Sequence, residues 1–345
     1  MRRRITSSLL LLPAASAVAT AAIQGSSPLT ISHRSPIRNC QDGQSRDVVP
    51  EAEVEPSLAI DPTRPDHLVA VFQQDRFRNG AARAIAASVS MDGGRTWTER
   101  VLPVGLCATH RPGPFRVTDP WVSIGGDGHV YALASAFALS SGDGGKTWPR
   151  IVELDRRTER YFLDKGSLTA DPAEPGTAYA TWARYAVPRR GPPVHSDAML
   201  SVTTNGGRTW SAPRAMLHGG ADSGPIASAI VPGLRRGELY HFAFFQIGAV
   251  PSMAHPSSIV VQASSDGGRT WSVPRTVAKA LTVAEEAREP YSGTQIRTGF
   301  VVPAFARARA RCTSRGRMRG SAIAATTRSS SRGRRTTDAG GAVRP

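Results

Sequence analysis

Cysteine is scarce in this sequence, and its scarcity excludes two classes of protein. Three cysteines in 345 residues cannot support a disulfide-rich scaffold. No two of them have the spacing of a zinc site, so we predict neither a metal nor a cofactor. An exported chain could form one disulfide. We expect Cys40 to pair with Cys107, because Cys312 lies in an anomalous C-terminal stretch.

Long apolar runs are also lacking, apart from one at the N-terminus. Three arginines at residues 2–4 precede an apolar stretch at residues 9–22, and Ala19, Thr20 and Ala21 fit a signal-peptide cleavage pattern. The stretch is short and rich in alanine for a membrane span. We predict a signal peptide at residues 1–22, export and no stable membrane span, with an uncleaved anchor as the alternative. Residues 23–49 are polar and are predicted to be irregular.

An eight-residue pattern containing Asp-Gly-Gly or Asn-Gly-Gly occurs four times, at residues 90–97, 141–148, 203–210 and 264–271. Asp-Gly between extended runs is a strong hairpin signal, because Gly adopts positive φ freely and Asp tolerates it. The Asp, or Asn in the third copy, can accept hydrogen bonds from the amides of the turn. The Trp that follows should begin the returning strand and bury its ring. We therefore predict structural roles for Asp92, Trp97, Asp143, Trp148, Asn205, Trp210, Asp266 and Trp271.

The spacing of this pattern predicts the architecture. The successive tryptophans at 97, 148, 210 and 271 are 51, 62 and 61 residues apart. Periods near 50 with several strands per unit indicate a β-propeller, which is built from four-stranded blades around a central channel. We predict an all-β propeller over residues 50–305. It contains four complete blades and the first strand of a fifth at residues 297–305, as if truncated from a six-bladed or similar ring.

The C-terminal stretch, residues 306–345, accounts for most of the positive charge of the chain. The net charge is +16, and this stretch has eleven arginines and one acid, Asp338, hence +10. It contains no aromatic residue to stack on bases, so nucleic acid is not a predicted partner. A disordered basic tail and a nucleic-acid arm are two interpretations. We favour a third, a frameshift near Ala306, because another frame permits both a strand and a further box at the expected places.

The pattern Ser-x-Asp-x-Gly-x-Thr-Trp is similar to the Asp-box of the sialidase (neuraminidase) superfamily. Residues 50–305 therefore resemble an Asp-box, or BNR-repeat, propeller. The resemblance implies that the boxes lie on the outer rim, away from the ligand. It also implies that a glycan or glycoconjugate binds at the channel mouth, where the inner strands converge.

Charged residues stand at the predicted starts of the inner strands. Glu55, Asp119 and the pair Asp164-Lys165 occupy these positions, with arginines in nearby loops at 116, 160, 288 and 297. An acid at such a place can simply satisfy loop amides, and a lone arginine can be solvated surface. We nevertheless predict a substrate-binding set of Glu55, Arg116, Asp164 and Arg297.

The resemblance to sialidases also implies a chemistry. It implies an arginine cluster that clamps the substrate carboxylate, an aspartic acid for proton transfer and a tyrosine nucleophile activated by a glutamate. We assign these catalytic roles to Asp119, Tyr291 and Glu289, and Tyr161 and Tyr185 remain alternative nucleophiles.

The match to active sialidases is partial. Their Phe-Arg-Ile-Pro motif is absent, and the nearest string, at residues 114–117, follows the first box instead of preceding it. Two functions therefore stay open. One is an exported exo-glycosidase of the exo-α-sialidase type, and the other is a non-catalytic propeller that binds carbohydrate or protein.

Overall fold

The computed structural model describes residues 29–40, 47–108, 117–156, 160–186, 195–247, 254–283, 285–288, 295–298, 304–305 and 325–326. Twenty β-strands lie within these ranges, and the prediction of an all-β fold is confirmed. None of the described residues belongs to a helix that is long and apolar enough to cross a bilayer. The predicted signal peptide lies outside these ranges, as does the predicted tail except for residues 325–326.

Four consecutive antiparallel meanders of four strands make up most of the described chain. In each, the first strand pairs with the second, the second with the third and the third with the fourth, which is the strand order of a propeller blade. Blades 1 and 2 comprise β1 (Val48–Ile60), β2 (Leu68–Phe77), β3 (Ala82–Ser90), β4 (Thr98–Val101), β5 (Trp121–Ile124), β6 (Val130–Ala134), β7 (Phe137–Ser141) and β8 (Arg150–Glu153). Blades 3 and 4 comprise β9 (Tyr161–Ala170), β10 (Ala178–Ala186), β11 (His195–Thr203), β12 (Arg214–His218), β13 (Ser223–Pro232), β14 (Leu239–Ile247), β15 (Ala254–Ser264) and β16 (Arg275–Val283).

Each of the four boxes forms the turn between the third and fourth strands of its blade, and its side chains close the turn. In the first box, Asp92 Oδ1 accepts from the amide of Thr96 at 2.9 Å, and its Oδ2 accepts from the Thr96 hydroxyl at 2.6 Å. Ser90 Oγ accepts from the Gly94 amide at 2.8 Å. Asp143, Asn205 and Asp266 make the equivalent bonds, with the Asn205 amide donating to the Thr209 hydroxyl.

Two details of the boxes differ from the sequence-based expectation. The two glycines of each box have positive φ, for example 74° for Gly93 and 87° for Gly94, whereas the Asp or Asn of the box does not. The tryptophans also do not begin the returning strands, which start one to four residues later. Each box closes the turn through side-chain bonds before strand pairing resumes, so its Trp packs in the loop. Trp97 Nε1, for example, donates to the Gly94 carbonyl at 2.9 Å.

Neighbouring blades bury their faces against each other. Three clusters of buried apolar residues lie between blades 1 and 2, 2 and 3, and 3 and 4, and they include Ile85, Trp182 and Leu239 respectively. Hydroxyl side chains join the inner strands across the same interfaces. Ser123 Oγ accepts from the Ala170 amide at 3.0 Å, and Ser167 Oγ donates to the Ser228 carbonyl at 2.6 Å.

The N-terminal segment is tied to blade 1. Cys40 and Cys107 form a disulfide, as predicted. The side chain of Arg83 donates to the Cys40 carbonyl and pairs with the buried carboxylate of Asp75 at 3.5 Å. Ser35 Oγ donates to Asp75 at 3.1 Å. Residues 35–40 are therefore attached to blade 1 by the disulfide and by side-chain hydrogen bonds.

The strand predicted at residues 297–305 lies only partly within the described residues. The structure has β17 (Glu285–Arg288) paired with β18 (Gln295–Thr298), and β19 (Ala304–Phe305) paired with β20 (Ala325–Thr326). Residues 299–303 of the predicted strand lie outside the described residues.

Candidate functional site

The charged cluster lies along the inner strands, two of which, β1 and β9, have β-bulges at matching places. In β1, Glu55 and Pro56 lie opposite one residue of β2, and in β9, Lys165 and Gly166 lie opposite Trp182 of β10. Glu55, Asp119 and Lys165 have positive φ of 54°, 50° and 49°. Non-glycine residues seldom adopt such φ, and bulges re-aim side chains. The three side chains thereby converge from blades 1, 2 and 3.

The convergent groups form one ion-paired cluster. Lys165 Nζ lies 2.7 Å from Asp119 Oδ1 and 4.0 Å from Glu55 Oε1. Glu55 Oε2 accepts from the Asp119 amide at 3.1 Å and from Gln73 Nε2 at 2.8 Å. The second oxygen of Asp119, Oδ2, is buried and has no hydrogen-bond partner among the described residues. The residue as a whole is 9% exposed.

The charge states result from these contacts. Burial alone would raise the pKa of Asp119, but a hydrogen bond with the Asp164 carboxyl and the charge of Lys165 outweigh it, so the pKa is lowered. Burial would lower the pKa of Lys165, yet Asp119, Asp164 and Glu55 raise it on balance. Burial raises the pKa of the Tyr185 hydroxyl, and the nearby carboxylates of Asp164 and Asp119 raise it further. The cluster therefore contains an ionised Asp119, a charged Lys165 and a neutral Tyr185 at pH 7.

A cavity of about 650 Å³ opens beside this cluster, between the inner strands of the four blades. Glu55, Asp119 and Lys165 line one part, and Thr169, Ile230 and other mostly apolar residues of β9 and β13 line the rest. Concave sites with a few convergent polar groups on an apolar wall are typical of small-molecule binding. The boxes lie at the far end of the blades, because Ser90 of the first box pairs with Leu68, next to Ile60 at the end of β1. Five residues of extended strand, roughly 16 Å, separate Ile60 from Glu55.

A second polar group lies at the same end of blade 3. Asp155 Oδ2 accepts from Trp182 Nε1 at 2.9 Å and from both Nε and Nη2 of Arg184, at 2.9 and 2.7 Å. The Arg184 guanidinium also lies over the ring of Tyr161, 5.4 Å from its centroid. Arg184 is thus held in place by a carboxylate and an aromatic ring.

The predicted site residues divide into two groups. The structure brings together Glu55, Asp119 and Asp164. Arg116, Glu289 and Tyr291 lie outside the described residues, and Arg297 is described only as a backbone position in β18. Their roles stay predictions.

Two residues matter more than the sequence indicates. The sequence places Lys165 beside Asp164 without pointing to a role, and it presents Tyr185 as one of three equivalent tyrosines. A signal for Lys165 is nevertheless present. Glu55-Pro56, Asp119-Pro120 and Lys165-Gly166 each begin six residues before the turn that ends the inner strand. No comparable signal marks Tyr185, which reaches the cluster from the second strand of its blade.

Within the described part of the chain, no group of His, Cys, Asp and Glu has an arrangement that could hold a metal ion. The described cluster offers the carboxylates of Glu55 and Asp119, the amine of Lys165 and the phenol of Tyr185. A carboxylate pair next to a cavity suits proton transfer and attack on an electron-poor carbon.

Comparison with known proteins gives distant structural likenesses. No protein-family model matches the chain, and neither does any curated protein. A Trypanosoma rangeli sialidase in complex with 2,3-difluorosialic acid is 16% identical, with a TM-score of 0.42, over 65% of this chain and 37% of that one. The GH93 α-L-arabinofuranosidase of Fusarium graminearum with arabinobiose is 13% identical, with a TM-score of 0.44, over 75% of each chain. A leech intramolecular trans-sialidase is 11% identical, with a TM-score of 0.44, over 72% of this chain and 60% of that one.

The chain thus spans little more than a third of the length of the Trypanosoma sialidase. Its strand order and its four boxes define its fold independently of these distant likenesses.

Proposed function

We propose that this protein is an exported, sialidase-like propeller protein that acts on glycans as an exo-glycosidase, at the cavity beside Asp119. One observation carries the proposal. Asp119 is a buried carboxylate held ionised by Lys165, and its second oxygen has no partner among the described residues while the residue lines a cavity. A buried carboxylate oxygen without a hydrogen-bond partner costs free energy unless a ligand or substrate completes its interactions.

The chemistry of glycoside hydrolysis fits these groups. It uses two carboxyl groups, one to protonate the leaving oxygen and one to stabilise or attack the anomeric carbon. Asp119 and Asp164 supply such a pair. An exo-acting enzyme needs a pocket that closes over one terminal sugar, and a cavity of about 650 Å³ lies within the usual range for small ligands.

The exo-α-sialidase form of the proposal adds a requirement. Sialic acid carries a carboxylate at the reacting carbon, so a cationic clamp must face it. Arg116 and Arg297 are the residues proposed for that clamp. Replacing either with Met should weaken binding of an acidic sugar far more than binding of a neutral one, and equal losses for both sugars would exclude the clamp.

A non-catalytic glycan-binding propeller is the second candidate. The observation that favours it is the pairing inside the cluster, since Lys165 already neutralises Asp119, and Glu55 accepts several bonds from its own surroundings. Such a network can exist for structure alone.

Turnover and binding together decide between these functions. The full-length chain is assayed with fluorogenic aryl glycosides of sialic acid, arabinofuranose and galactose, and the same sugars are titrated by calorimetry. The enzyme predicts turnover of at least one, abolished by Asp119→Asn and retained by Glu174→Gln, a control whose carboxylate pairs with Arg236 at the box end of the blades. Binding without turnover indicates the second candidate. The absence of both turnover and binding would contradict both candidates.

A further inference from the structure

Tyr161 is an exposed aromatic residue at the start of β9, at the end of blade 3 opposite its box. The same strand carries Lys165 of the charged cluster and Thr169 of the cavity wall. In β9 the cavity lining starts at Lys165 and runs toward the box end, whereas Tyr161 lies four residues away in the opposite direction. Four residues of extended strand span roughly 13 Å. The cavity, the cluster and the exposed ring therefore follow one another along one strand.

Arg184 fixes the orientation of the Tyr161 ring. Its guanidinium carbon lies 5.4 Å from the ring centroid, within the range of a cation–π contact. The Arg184 Nε and Nη2 both donate to Asp155 Oδ2, at 2.9 and 2.7 Å. This oxygen also accepts from Trp182 Nε1 at 2.9 Å, so three hydrogen bonds fix the carboxylate. The ring is thus oriented before a ligand arrives, which lowers the entropic cost of binding to it.

The charges of this group favour an uncharged ligand. Asp155 neutralises Arg184, so the stacked guanidinium does not require an anion. Tyr161 remains 40% exposed even with the guanidinium over its ring. The face of an aromatic ring is electron-rich and attracts C–H bonds, and one side of a sugar ring presents such bonds. A sugar ring can therefore stack on Tyr161 without burying an unpaired charge.

We propose that Tyr161 is the binding subsite for the sugar on the leaving side of the scissile bond. The terminal sugar fills the cavity, the scissile bond lies at Asp119, and the rest of the glycan passes over Lys165 to stack on Tyr161. This placement rests on the proposed function, which puts the reacting bond at Asp119. It gives Tyr161 a role in binding instead of the nucleophilic role that the sequence left open.

Such a subsite makes activity depend on the leaving group. Binding energy from a part of the substrate that does not react can orient the bond that does. A disaccharide extends beyond the cluster toward Tyr161, whereas the methyl glycoside of the same terminal sugar ends at the cluster. Both leaving groups are alcohols, so a preference for the disaccharide that requires Tyr161 reports contact with the ring.

Variants of Tyr161 test this contact. The probes are sialylgalactose, arabinobiose and lactose, each compared with the methyl glycoside of its terminal sugar. Tyr161→Ala should lower kcat/KM about tenfold for the disaccharide and less than about twofold for the methyl glycoside. Tyr161→Leu keeps apolar bulk without a ring and should lose nearly as much, whereas Tyr161→Phe should lose little. Leu234→Ala removes a side chain of similar exposure at the box end and should change neither value. Equal losses on both substrates, or no loss in Tyr161→Ala, would overturn the subsite.

Calorimetric titration separates this inference from the proposed function. The same probes are titrated into the wild-type chain and into Tyr161→Ala. Tyr161-dependent preference for binding a disaccharide, without hydrolysis of any probe, would contradict the proposed catalysis and support the subsite. Hydrolysis that does not depend on Tyr161 would contradict the subsite alone. A chain that neither binds nor hydrolyses any probe would contradict both.

Discussion

Replacing Gly207 with Ala should loosen the contact between blades 2 and 3. A methyl group there would lie 2.7 Å from Ser140 Oγ and 2.8 Å from Ser140 Cβ in the preceding blade. Ser140 is buried in β7 and cannot move aside without moving its strand. Two costs add: positive φ in a residue with a Cβ costs roughly 1–2 kcal/mol, and overpacking a close contact costs roughly 1–3 kcal/mol.

The box of blade 4 offers a matched control. Gly267 has φ +73°, against +74° for Gly207, but a Cβ there meets nothing within 4 Å. Gly267→Ala therefore has only the energetic cost of positive φ. We expect its free energy of unfolding to exceed that of Gly207→Ala by about 1–3 kcal/mol.

Urea unfolding followed by tryptophan fluorescence measures this difference, provided that the m-values agree. A Gly207→Ala, Ser140→Gly double variant sharpens the test. Removing the Ser140 side chain should restore much of the loss, as a positive coupling in a double-mutant cycle. Its hydroxyl has no partner among the described residues, so its removal sacrifices no hydrogen bond seen in them. Equal stabilities for the two alanine variants, or no rescue, would refute the packing argument.

Three further predictions concern the disulfide, a buried ion pair and acid stability. Cys40→Ser with Cys107→Ser should reduce the free energy of unfolding by about 4 kcal/mol, because the bond closes a loop with a sequence separation of 67, and reductant should reproduce this in denaturant titrations. Arg83→Met should cost about 3–5 kcal/mol in the same titrations by leaving the Asp75 carboxylate buried and unpaired. Burial would raise the pKa of Asp143, but hydrogen bonds from Ser141 and Thr147 outweigh burial and lower the pKa to about 2. The ionised Asp143 therefore stabilises the folded state above about pH 4, and this stabilisation is lost as the pH falls toward 2. Stability of an Asp143→Asn variant should therefore depend less on pH over that interval.

Each of these predictions has an internal comparison. A Cys312→Ser variant should have the same free energy of unfolding as the wild type. Reductant should lower the stability of the variant and of the wild type equally. Asp75→Asn with Arg83→Met should recover part of the loss of the single Met variant, since the uncompensated charge is gone. Asn205 already occupies the equivalent place in the third box, so the Asn in Asp143→Asn has a precedent in this chain. A pH dependence that is unchanged by Asp143→Asn would contradict the assigned pKa.

Much of the fold could be predicted because the information is local. Eight residues specify each box, since the Ser, Asp and Thr side chains close the turn without help from elsewhere. Regular recurrence then implies repeated blades. The pairings of β17 with β18 and of β19 with β20 were not predictable in the same way, because no box or other repeated motif specifies them.

The candidate site was predictable only in outline. Glu55, Asp119 and Asp164 can be identified from the sequence because they stand where inner strands start. Their actual contacts depend on bulges, and a bulge is a relation between two strands that one strand does not encode. Tyr185 comes from a neighbouring strand, so only the register of β10 against β9 brings it to the pair.

The hydroxyl groups that join the inner strands make each joint between blades a pivot. Ser57 and Ser123 each connect adjacent inner strands through one side-chain hydrogen bond, and Ser167 and Thr169 together connect β9 to β13. No continuous backbone ladder joins the described strands β1, β5 and β9. One or two such bonds constrain the distance between the strands more than the angle between them. The same unit can therefore be repeated at different tilts, so duplication or loss of one unit in a gene leaves every remaining joint chemically intact. The innermost edge of the blades is thus the place at which this architecture can change its number of blades without requiring a new kind of contact.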